Sequence, residues 1–281
     1  MKHVFNPFNC KIPRKYDPKF HLKDFESFHD AKTEKERRIR ILEKGNRACR
    51  RLAKKLRRCK KKRRCLSNAC PVCKRRFRRW FVTRVCPIFE NHESQFVTVI
   101  PEIRQLLPRD LDDLSHRVMN DYLVKKLKRA GFGDLTVVGG IDIDFRTANE
   151  NGAPSYWQPH FHFVAASEGS DDIQRLKQSF KKKGGDNPVR VPVSSEPIED
   201  LIEAVSYTVK GINWEKAGYW AKNGRRKHRR IPLKPKQLQE ILLVLDAHSM
   251  TSPLLMRGGH QYGCELLFKQ PPVGEKPPWE E

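Results

Sequence analysis

The sequence predicts an α+β fold with a central antiparallel sheet and flanking helices. Segment 96–100 (FVTVI) is rich in β-branched residues and predicts a strand, after which apolar residues recur at helical spacing. Segments 135–145 and 159–166 flank the turn-forming sequence NENGAPS, which indicates a hairpin. A second helix over 197–210 completes the order strand, helix, strand, strand, helix, which is typical of an antiparallel sheet covered by helices.

The charge of the chain favours a polyanionic partner. Its 281 residues include 57 lysines and arginines against 33 acidic residues, a formal net charge of +24. Such a charge opposes compaction and favours nucleic acid, whose phosphates it neutralises. No apolar run approaches the ~18 residues of a membrane-spanning helix, and the N-terminal MKHVFNPFNC lacks the apolar stretch of a secretory signal. We therefore expect a cytoplasmic protein with no membrane partner and with its eight cysteines reduced.

Composition divides the chain into four parts. Residues 1–45 form an N-terminal arm and basic helix, and residues 46–86 form a small basic cysteine-rich element; helical propensity is strong throughout 31–64. Residues 87–215 carry the strand and helix pattern. Residues 216–281 form a basic C-terminal region with one apolar helix, LQEILLVLDAH, and a Pro-rich tail, QPPVGEKPPWEE, that we expect to be disordered.

Two histidines in the second strand of the predicted hairpin are candidate metal ligands. His160 and His162 are two residues apart, so a strand places both side chains on one face. The paired strand carries Asp142 and Asp144 at the same spacing, and one of these carboxylates is expected to face the histidines. Two imidazoles and a carboxylate form a divalent-metal site with open positions for phosphate oxygens. Gln158, on the same face, is a weaker candidate for the third ligand, and a solvated polar face is the alternative interpretation.

The helix over 197–210 carries three polar residues away from its apolar stripe. Glu203, Tyr207 and Lys210 lie at positions i, i+4 and i+7 and share one face. A tyrosine there can attack a phosphate while Lys210 stabilises the phenolate or the transition-state charge. Glu203 can act as a general base toward water. The alternative is an exposed helix face with a simple contact between the glutamate and the tyrosine.

A cysteine cluster before the first predicted strand is a candidate zinc site. Cys65, Cys70 and Cys73 are closely spaced, and Cys59 can complete a four-thiolate tetrahedron, with Cys49 as the alternative fourth ligand. Neighbouring lysines and arginines favour the thiolate form that binds metal. The segment KRRFRRWF that follows combines cations with aromatics, which suits phosphate contact and base stacking. No role is assigned to the isolated cysteines, Cys10, Cys86 and Cys264.

Four segments, in order along the chain, resemble the motifs of HUH endonucleases, in particular the rolling-circle replication initiators of plasmids. FVTVI (96–100) resembles the first strand motif, and GGIDIDF (139–145) resembles the second, which holds an acidic metal ligand. PHFHFVA (159–165) resembles the histidine–hydrophobe–histidine motif, and EAVSYTVKG (203–211) is similar to the tyrosine motif. The resemblance covers roughly residues 95–214 and implies that 87–215 is an HUH nickase domain built on an HUH/RRM-like palm.

The resemblance also implies a metal site. His160 and His162 would bind Mg²⁺ or Mn²⁺ together with an acidic ligand, for which Asp142 is favoured by its place in the motif and Asp144 is the alternative. The sequence departs from the family in having Asp where Glu is frequent, and Gln158 where a further histidine is common. The third ligand is therefore the open part of this expectation.

The resemblance implies, in addition, a covalent mechanism on single-stranded origin DNA. Tyr207 would retain the 5′-phosphate as a phosphotyrosine and release a 3′-hydroxyl primer, with Lys210 assisting. Glu203 would direct water in the terminating cleavage, where other members use a second tyrosine. The cysteine cluster is similar to the cysteine-rich segment that some of these initiators carry before their first motif. A host helicase and polymerase are the expected partners, because the sequence contains no ATPase-like Gly-rich loop.

Two other classes of function are compatible with parts of the sequence. An HUH-type transposase or relaxase would use the same cleavage chemistry. A non-catalytic, zinc-containing nucleic-acid-binding protein would account for the charge and the cysteines, but would leave the histidine pair and the face of Glu203, Tyr207 and Lys210 unexplained.

Overall fold

The computed structural model describes residues 5–101, 106–131, 135–147, 154–166, 170–180, 192–211, 214–220 and 226–268. Within these ranges the helices are α1 (Pro18–His21), α2 (Phe28–Glu43), α3 (Arg47–Arg57), α4 (Pro71–Phe89), α5 (His116–Arg129), α6 (Ser170–Ser179), α7 (Leu201–Thr208) and α8 (Pro235–Ala247), with a 3₁₀ turn at Leu111–Asp113. The strands are β1 (Ser94–Val99), β2 (Val137–Arg146), β3 (Tyr156–Ala166), β4 (Val193–Pro197), β5 (Trp214–Trp220), β6 (Arg226–Pro232), β7 (Leu254–Arg257), β8 (Gly259–Tyr262) and β9 (Glu265–Phe268).

A mixed sheet forms the centre of the α+β fold. Its strand order is β4-β1-β3-β2-β5-β6, and β7 pairs with the other part of β2. The predicted hairpin of β2 and β3 is present, and β1 lies antiparallel on the far side of β3. The prediction of a wholly antiparallel sheet is wrong at one place, because β2 and β5 run parallel. β8 and β9 form a separate two-stranded ribbon.

The basic segment predicted as helical over 31–64 forms two helices. Ser27 begins α2 with a capping box, and the helical conformation is interrupted at Gly45 and Asn46. The Asn46 side chain accepts a hydrogen bond from the Cys49 N–H at 3.0 Å and so begins α3. Each helix buries an apolar stripe; Leu42 of α2 and Leu56 of α3 are both fully buried. Helical propensity therefore predicted the helical character of this segment but not the break between the two helices.

The segment before the tyrosine helix differs from the prediction. Strand β4 (Val193–Pro197) occupies the residues at which the tyrosine helix was expected to begin. α7 starts at Leu201 rather than 197 and ends at Thr208, so Lys210 follows the helix instead of lying on its face as predicted. Asp200 caps it by accepting a hydrogen bond from the Glu203 N–H at 3.0 Å.

The C-terminal region contributes to the central sheet. β5 begins at Trp214, so a division at residue 215 falls inside this strand, and β6 extends the sheet beside it. The predicted apolar helix is present as α8. The Pro-rich tail from residue 270 onward lies outside the described residues. No helix within the described ranges is long and apolar enough to cross a membrane.

One cysteine pair contradicts the expectation of eight reduced thiols. Cys10 and Cys264, which had no assigned role, form a disulfide that joins the N-terminal arm to the turn between β8 and β9. The two residues are 254 positions apart, so sequence spacing gives no signal for the pairing. Cys86 is a buried free thiol against the Leu201 carbonyl.

A close approach between α7 and the sheet occurs at Gly140 in β2. A Cβ atom at this position would lie 2.8 Å from the Thr208 carbonyl oxygen, which is too close. Because that oxygen belongs to the backbone, it cannot move aside as the end of a flexible side chain can. Glycine therefore allows the C-terminal turn of α7 to pack directly on β2.

Gly140→Ala should lower the free energy of unfolding by about 1–3 kcal/mol, because the added methyl group forces α7 away from β2. Urea denaturation followed by circular dichroism measures this loss, and Gly140→Val should lose more than Gly140→Ala. Stability equal to that of the wild-type protein in both variants would contradict the close packing.

Candidate metal and nucleophile site

The two histidines of β3 are buried, so they do not lie on a solvated sheet face. His160 and His162 are 3 % and 5 % exposed, and their rings meet edge to face with centroids 4.6 Å apart. Phe161 and Phe163 point to the opposite face and are fully buried. The alternation of β3 thus separates a polar face from the apolar core.

Strand register brings a carboxylate to the histidines. Asp142 is directly opposite His160 in the β2–β3 pair, and the Asp142 Oδ2 atom lies 3.3 Å from His160 Nε2. Candidate ligand atoms of Asp142, His160 and His162 all lie within 4.8 Å of one another. Asp144 is buried one pair further along, with its Oδ2 atom 3.6 Å from the same His160 nitrogen. The residues favoured as ligands from the sequence are therefore brought together.

The donor atoms are suited to a divalent metal. His160 Nδ1 lies 3.2 Å from the Gln158 carbonyl oxygen, and donation to that oxygen leaves the Nε2 lone pair free. His162 Nδ1 contacts the Thr98 hydroxyl at 2.9 Å, and its buried Nε2 atom has no hydrogen-bond partner among the described residues. Burial, reinforced by the adjacent His160, lowers the pKa of His162 to about 2, so this imidazole is neutral at ordinary pH. The group is thus compatible with a metal, whose identity the geometry does not fix.

Gln158, the weaker candidate ligand, is engaged elsewhere. Its side-chain oxygen accepts a hydrogen bond from Arg146 Nε at 2.7 Å. The ring nitrogens of the histidine pair and a carboxylate therefore remain the better ligand set.

Each buried carboxylate of β2 is paired with a lysine. Lys210 Nζ lies 2.5 Å from Asp142 Oδ2, and Lys216 Nζ lies 2.5 Å from Asp144 Oδ2. Burial opposes ionisation of Asp142, but Lys210 and His160 outweigh it and hold the pKa of this carboxyl well below its usual range. Burial likewise opposes the charge on Lys210, yet the two aspartates raise its pKa above the ordinary value. A cation bound at Asp142 would compete with Lys210 for the same oxygen.

Tyr207 faces the histidines from α7. Its ring lies 5.0 Å from that of His162 and 5.7 Å from that of Phe96, both edge to face. Its hydroxyl oxygen accepts from Lys210 Nζ at 3.4 Å and from Arg230 Nη2 at 3.0 Å. The phenol oxygen is thus held between two cations beside the candidate metal ligands.

Arg230 and Lys216 were not identified from the sequence. Lys216 lies in β5 and Arg230 in β6, and these two strands pair with each other. They reach the site because β5 pairs in parallel with β2, a long-range contact that the sequence pattern did not predict. A basic run in this region was the available signal, but the run alone does not say which cation reaches the tyrosine. Glu203, by contrast, is exposed and lines the same cleft one helical turn before Tyr207, as its sequence position suggested.

The histidine pair and Tyr207 face a common cleft of about 730 Å³. Phe96, Thr98, the histidine pair, Tyr207 and Glu203 all line it. Its charged lining consists of Arg146, Lys216 and Arg230 against Glu196, Glu199, Asp200 and Glu203. The cleft is therefore large enough for a nucleotide-sized ligand and nearly balanced in lining charge.

Four cysteines form a second metal-compatible group at the start of α4. The Sγ atoms of Cys59, Cys65, Cys70 and Cys73 come together, with Cys73 at 3.6 Å from Cys59 and 3.7 Å from Cys65. Four ligands at the zinc–sulfur distance of about 2.3 Å in a tetrahedron require sulfur atoms roughly 3.8 Å apart. Hydrogen bonds from the other thiols lower the pKa of Cys59, while contact with Cys59 raises that of Cys73. The group could hold a metal ion such as zinc, and Cys49 is not part of it.

Comparison with known proteins leaves the family open. Neither a protein-family model, nor a curated protein, nor a solved structure matches this chain.

Removing the lysine that pairs with Asp142 should tighten metal binding. In Lys210→Met the carboxylate loses its competing cation, so the affinity for Mn²⁺ should rise by about 10-fold, or about 1.4 kcal/mol. Isothermal titration of Mn²⁺ measures the change, with His162→Ala as the variant that should lose binding. Unchanged affinity in Lys210→Met would contradict a site at Asp142.

Elemental analysis of protein purified without chelator should find about one tightly held metal ion per chain, and zinc is the expected element because the donors are four thiolates. Cys73→Ser should lose the ion and fold poorly. Cys49→Ser is the matched control and should retain it, because Cys49 is also buried but lies outside the group. Wild-type protein without bound metal would reject the site.

Proposed function

We propose that this protein is a metal-dependent single-strand DNA nickase and strand transferase of the HUH type, which initiates rolling-circle replication through a 5′-phosphotyrosine. The observation that carries the proposal is the Tyr207 hydroxyl, held by Lys210 and Arg230 beside the group of Asp142, His160 and His162. Phosphoryl transfer needs a nucleophile, cations for the phosphate and a Lewis acid. These residues supply the first two and can hold the third.

The cleavage step follows from the position of the phenol. The Tyr207 hydroxyl loses its proton to water, and the phenolate oxygen attacks the phosphorus of a DNA phosphodiester. The bond from phosphorus to O3′ breaks, and the 3′-oxygen takes a proton from water and leaves as a hydroxyl. Arg230 and Lys210, both within reach of the phenol oxygen, stabilise the phenolate and then the charge on the phosphoryl oxygens. A divalent ion such as Mg²⁺ or Mn²⁺, held by Asp142 and the histidine pair, would supply Lewis-acid polarisation of the phosphate.

The phosphotyrosine bond conserves the energy of the broken DNA phosphodiester, so that strands can be rejoined. Attack of a DNA 3′-hydroxyl on the phosphotyrosine reverses the first step and joins strands. Glu203 is exposed in the cleft one turn before Tyr207. In this proposal it takes a proton from a water molecule, and that water hydrolyses the phosphotyrosine when the cycle ends. A single tyrosine then suffices for initiation and termination.

The cleft suits a single strand better than a duplex. Tyr207 presents a half-buried aromatic ring to the cleft beside the histidines, and an unpaired base can stack on such a surface. Under this proposal a duplex must be opened before cleavage, so a host helicase and a polymerase are the partners of the reaction on plasmid origins.

The decisive experiment is formation of a covalent protein–DNA adduct. Wild-type protein with Mn²⁺ and labelled single-stranded origin-like DNA should give an adduct on denaturing gels, and Tyr207→Phe should give none. Tyr262→Phe is the matched control, because that tyrosine is 75 % exposed on β8 and outside the cleft lining. Folded, metal-loaded protein that cleaves no single-stranded or supercoiled plasmid DNA would overturn the proposal in favour of a non-catalytic binding protein.

Arg230→Gln should slow adduct formation by about 100-fold, a loss typical of one removed charge-stabilising donor. Arg230→Lys should recover part of the rate, since it keeps the charge. Arg229→Gln is the control, because alternation along β6 points this exposed neighbour to the other face. Equal rates for the two glutamine variants under single-turnover conditions would exclude a role for Arg230 at the tyrosine.

A further inference from the structure

Most of the positive charge lies outside the candidate cleft. Residues 44–64 contain 13 lysines and arginines and no acidic residue, more than half of the net charge of +24. The cleft lining carries three cationic and four acidic residues, so it does not account for this charge. The basic segment contributes no residue to that lining. The basic segment therefore carries its charge on a separate surface.

Helix α3 arranges its charges with a defined geometry. Its buried face consists of Cys49, Leu52, Ala53 and Leu56. The residues that project directly away from that face are exposed and positively charged, and they are Arg47, Arg51, Lys54 and the C-cap residue Arg58. Their spacing of four, three and four residues keeps them in one line along the helix. We call this line the α3 stripe; it is about 16 Å long at 1.5 Å per residue.

The α3 stripe makes no polar side-chain contact with the described residues of the chain. The flanking cations are engaged, since Lys55 pairs with Asp246, Arg57 pairs with Glu43, and Arg50 donates to the Gly45 carbonyl. Side chains of the four stripe residues make no ion pair or hydrogen bond within the described part of the chain. Four neighbouring like charges repel one another, so a polyanion placed along the stripe would relieve this repulsion.

The cysteine group holds the end of the α3 stripe in place. Arg58 is followed at once by Cys59, and the next four exposed residues, 60–63, form a basic turn closed by hydrogen bonds between the backbones of Lys60 and Arg63. The stripe and this turn form one continuous basic surface on a fixed support.

We propose that the α3 stripe binds the phosphate backbone of a DNA duplex, at a site separate from the cleft. No aromatic residue occurs in segment 44–64, so the surface offers charge without base stacking. A duplex carries about one charge per 1.7 Å of axis, twice that of one of its strands, and is the stronger match for such a surface. Resting on the proposed function, this inference assigns the stripe to sequence-independent retention of the duplex that flanks the nick.

The test replaces the four stripe residues together by glutamine. Arg47, Arg51, Lys54 and Arg58 are exposed, and glutamine has a helix propensity close to theirs, so α3 should stay folded. The matched control removes four exposed charges from α5 in the same way, at Arg117, Lys125, Lys128 and Arg129. Both variants have a net charge lower by four. Far-ultraviolet circular dichroism checks that both remain helical.

Fluorescence anisotropy measures binding to a 20-base-pair duplex of arbitrary sequence between 50 and 200 mM NaCl. For the stripe variant we expect the association constant to fall by about 100-fold, and the slope of log K against log salt to shrink by up to ~3.6, or 0.9 per lost phosphate contact. The association constant of the α5 variant should fall by less than about 10-fold, since this variant loses net charge but no residue of the α3 stripe. Binding of a 20-nucleotide single strand should change less than duplex binding.

Three outcomes would overturn the assignment: unchanged duplex binding in the stripe variant, an equal loss in the α5 variant, or a loss confined to the single strand. Adduct formation on a short single-stranded oligonucleotide separates this inference from the proposed function. The stripe variant should form the adduct at the wild-type rate, whereas Tyr207→Phe should form none and still bind the duplex. Absence of an adduct in wild-type protein would remove the nickase proposal but leave the duplex measurement intact.

Discussion

The register of β2 against β3 is the constraint on which the candidate site depends. Asp142 meets His160 because these residues are directly paired, and a slip of one residue would send every side chain of one strand to the other face. The apolar faces fix the register, since Phe161 and Phe163 fill the core on the opposite side. Packing of hydrophobic residues thereby determines the position of the polar group.

The same strand also fixes the position of the tyrosine. Gly140 lets α7 approach β2 closely, and the ion pair from Lys210 to Asp142 joins the end of that helical segment to the carboxylate. Because Lys210 also contacts the Tyr207 hydroxyl, the candidate nucleophile and the candidate metal ligands are electrostatically coupled. Metal entry and the charge state around the phenol are therefore linked through one lysine.

Local patterns predicted the parts of this arrangement that arise within one strand pair or one helix. Alternation gave the common face of His160 and His162, and helical spacing gave the shared face of Glu203 and Tyr207. Arg230 was beyond prediction, because it reaches the tyrosine through β6, which depends on the nonlocal parallel pair of β2 and β5. The disulfide of Cys10 and Cys264 was missed for the same reason, since chain topology and not spacing brings the two ends together.

Separation of charge between the cleft and α3 has a consequence for catalysis under the proposed function. Tight binding of phosphates within the cleft would hold substrate and product as strongly as the transition state and would not raise the rate. A cleft with nearly balanced lining charge avoids this, because Arg146 and Lys216 are engaged by Gln158 and Asp144. Of the three lining cations, Arg230 is the one that contacts the Tyr207 hydroxyl. Under the proposed duplex site, affinity for DNA comes from the α3 stripe, which contributes no residue to the cleft lining. Retention and chemistry are accordingly assigned to different surfaces, and mutations in one should leave the other largely unaffected.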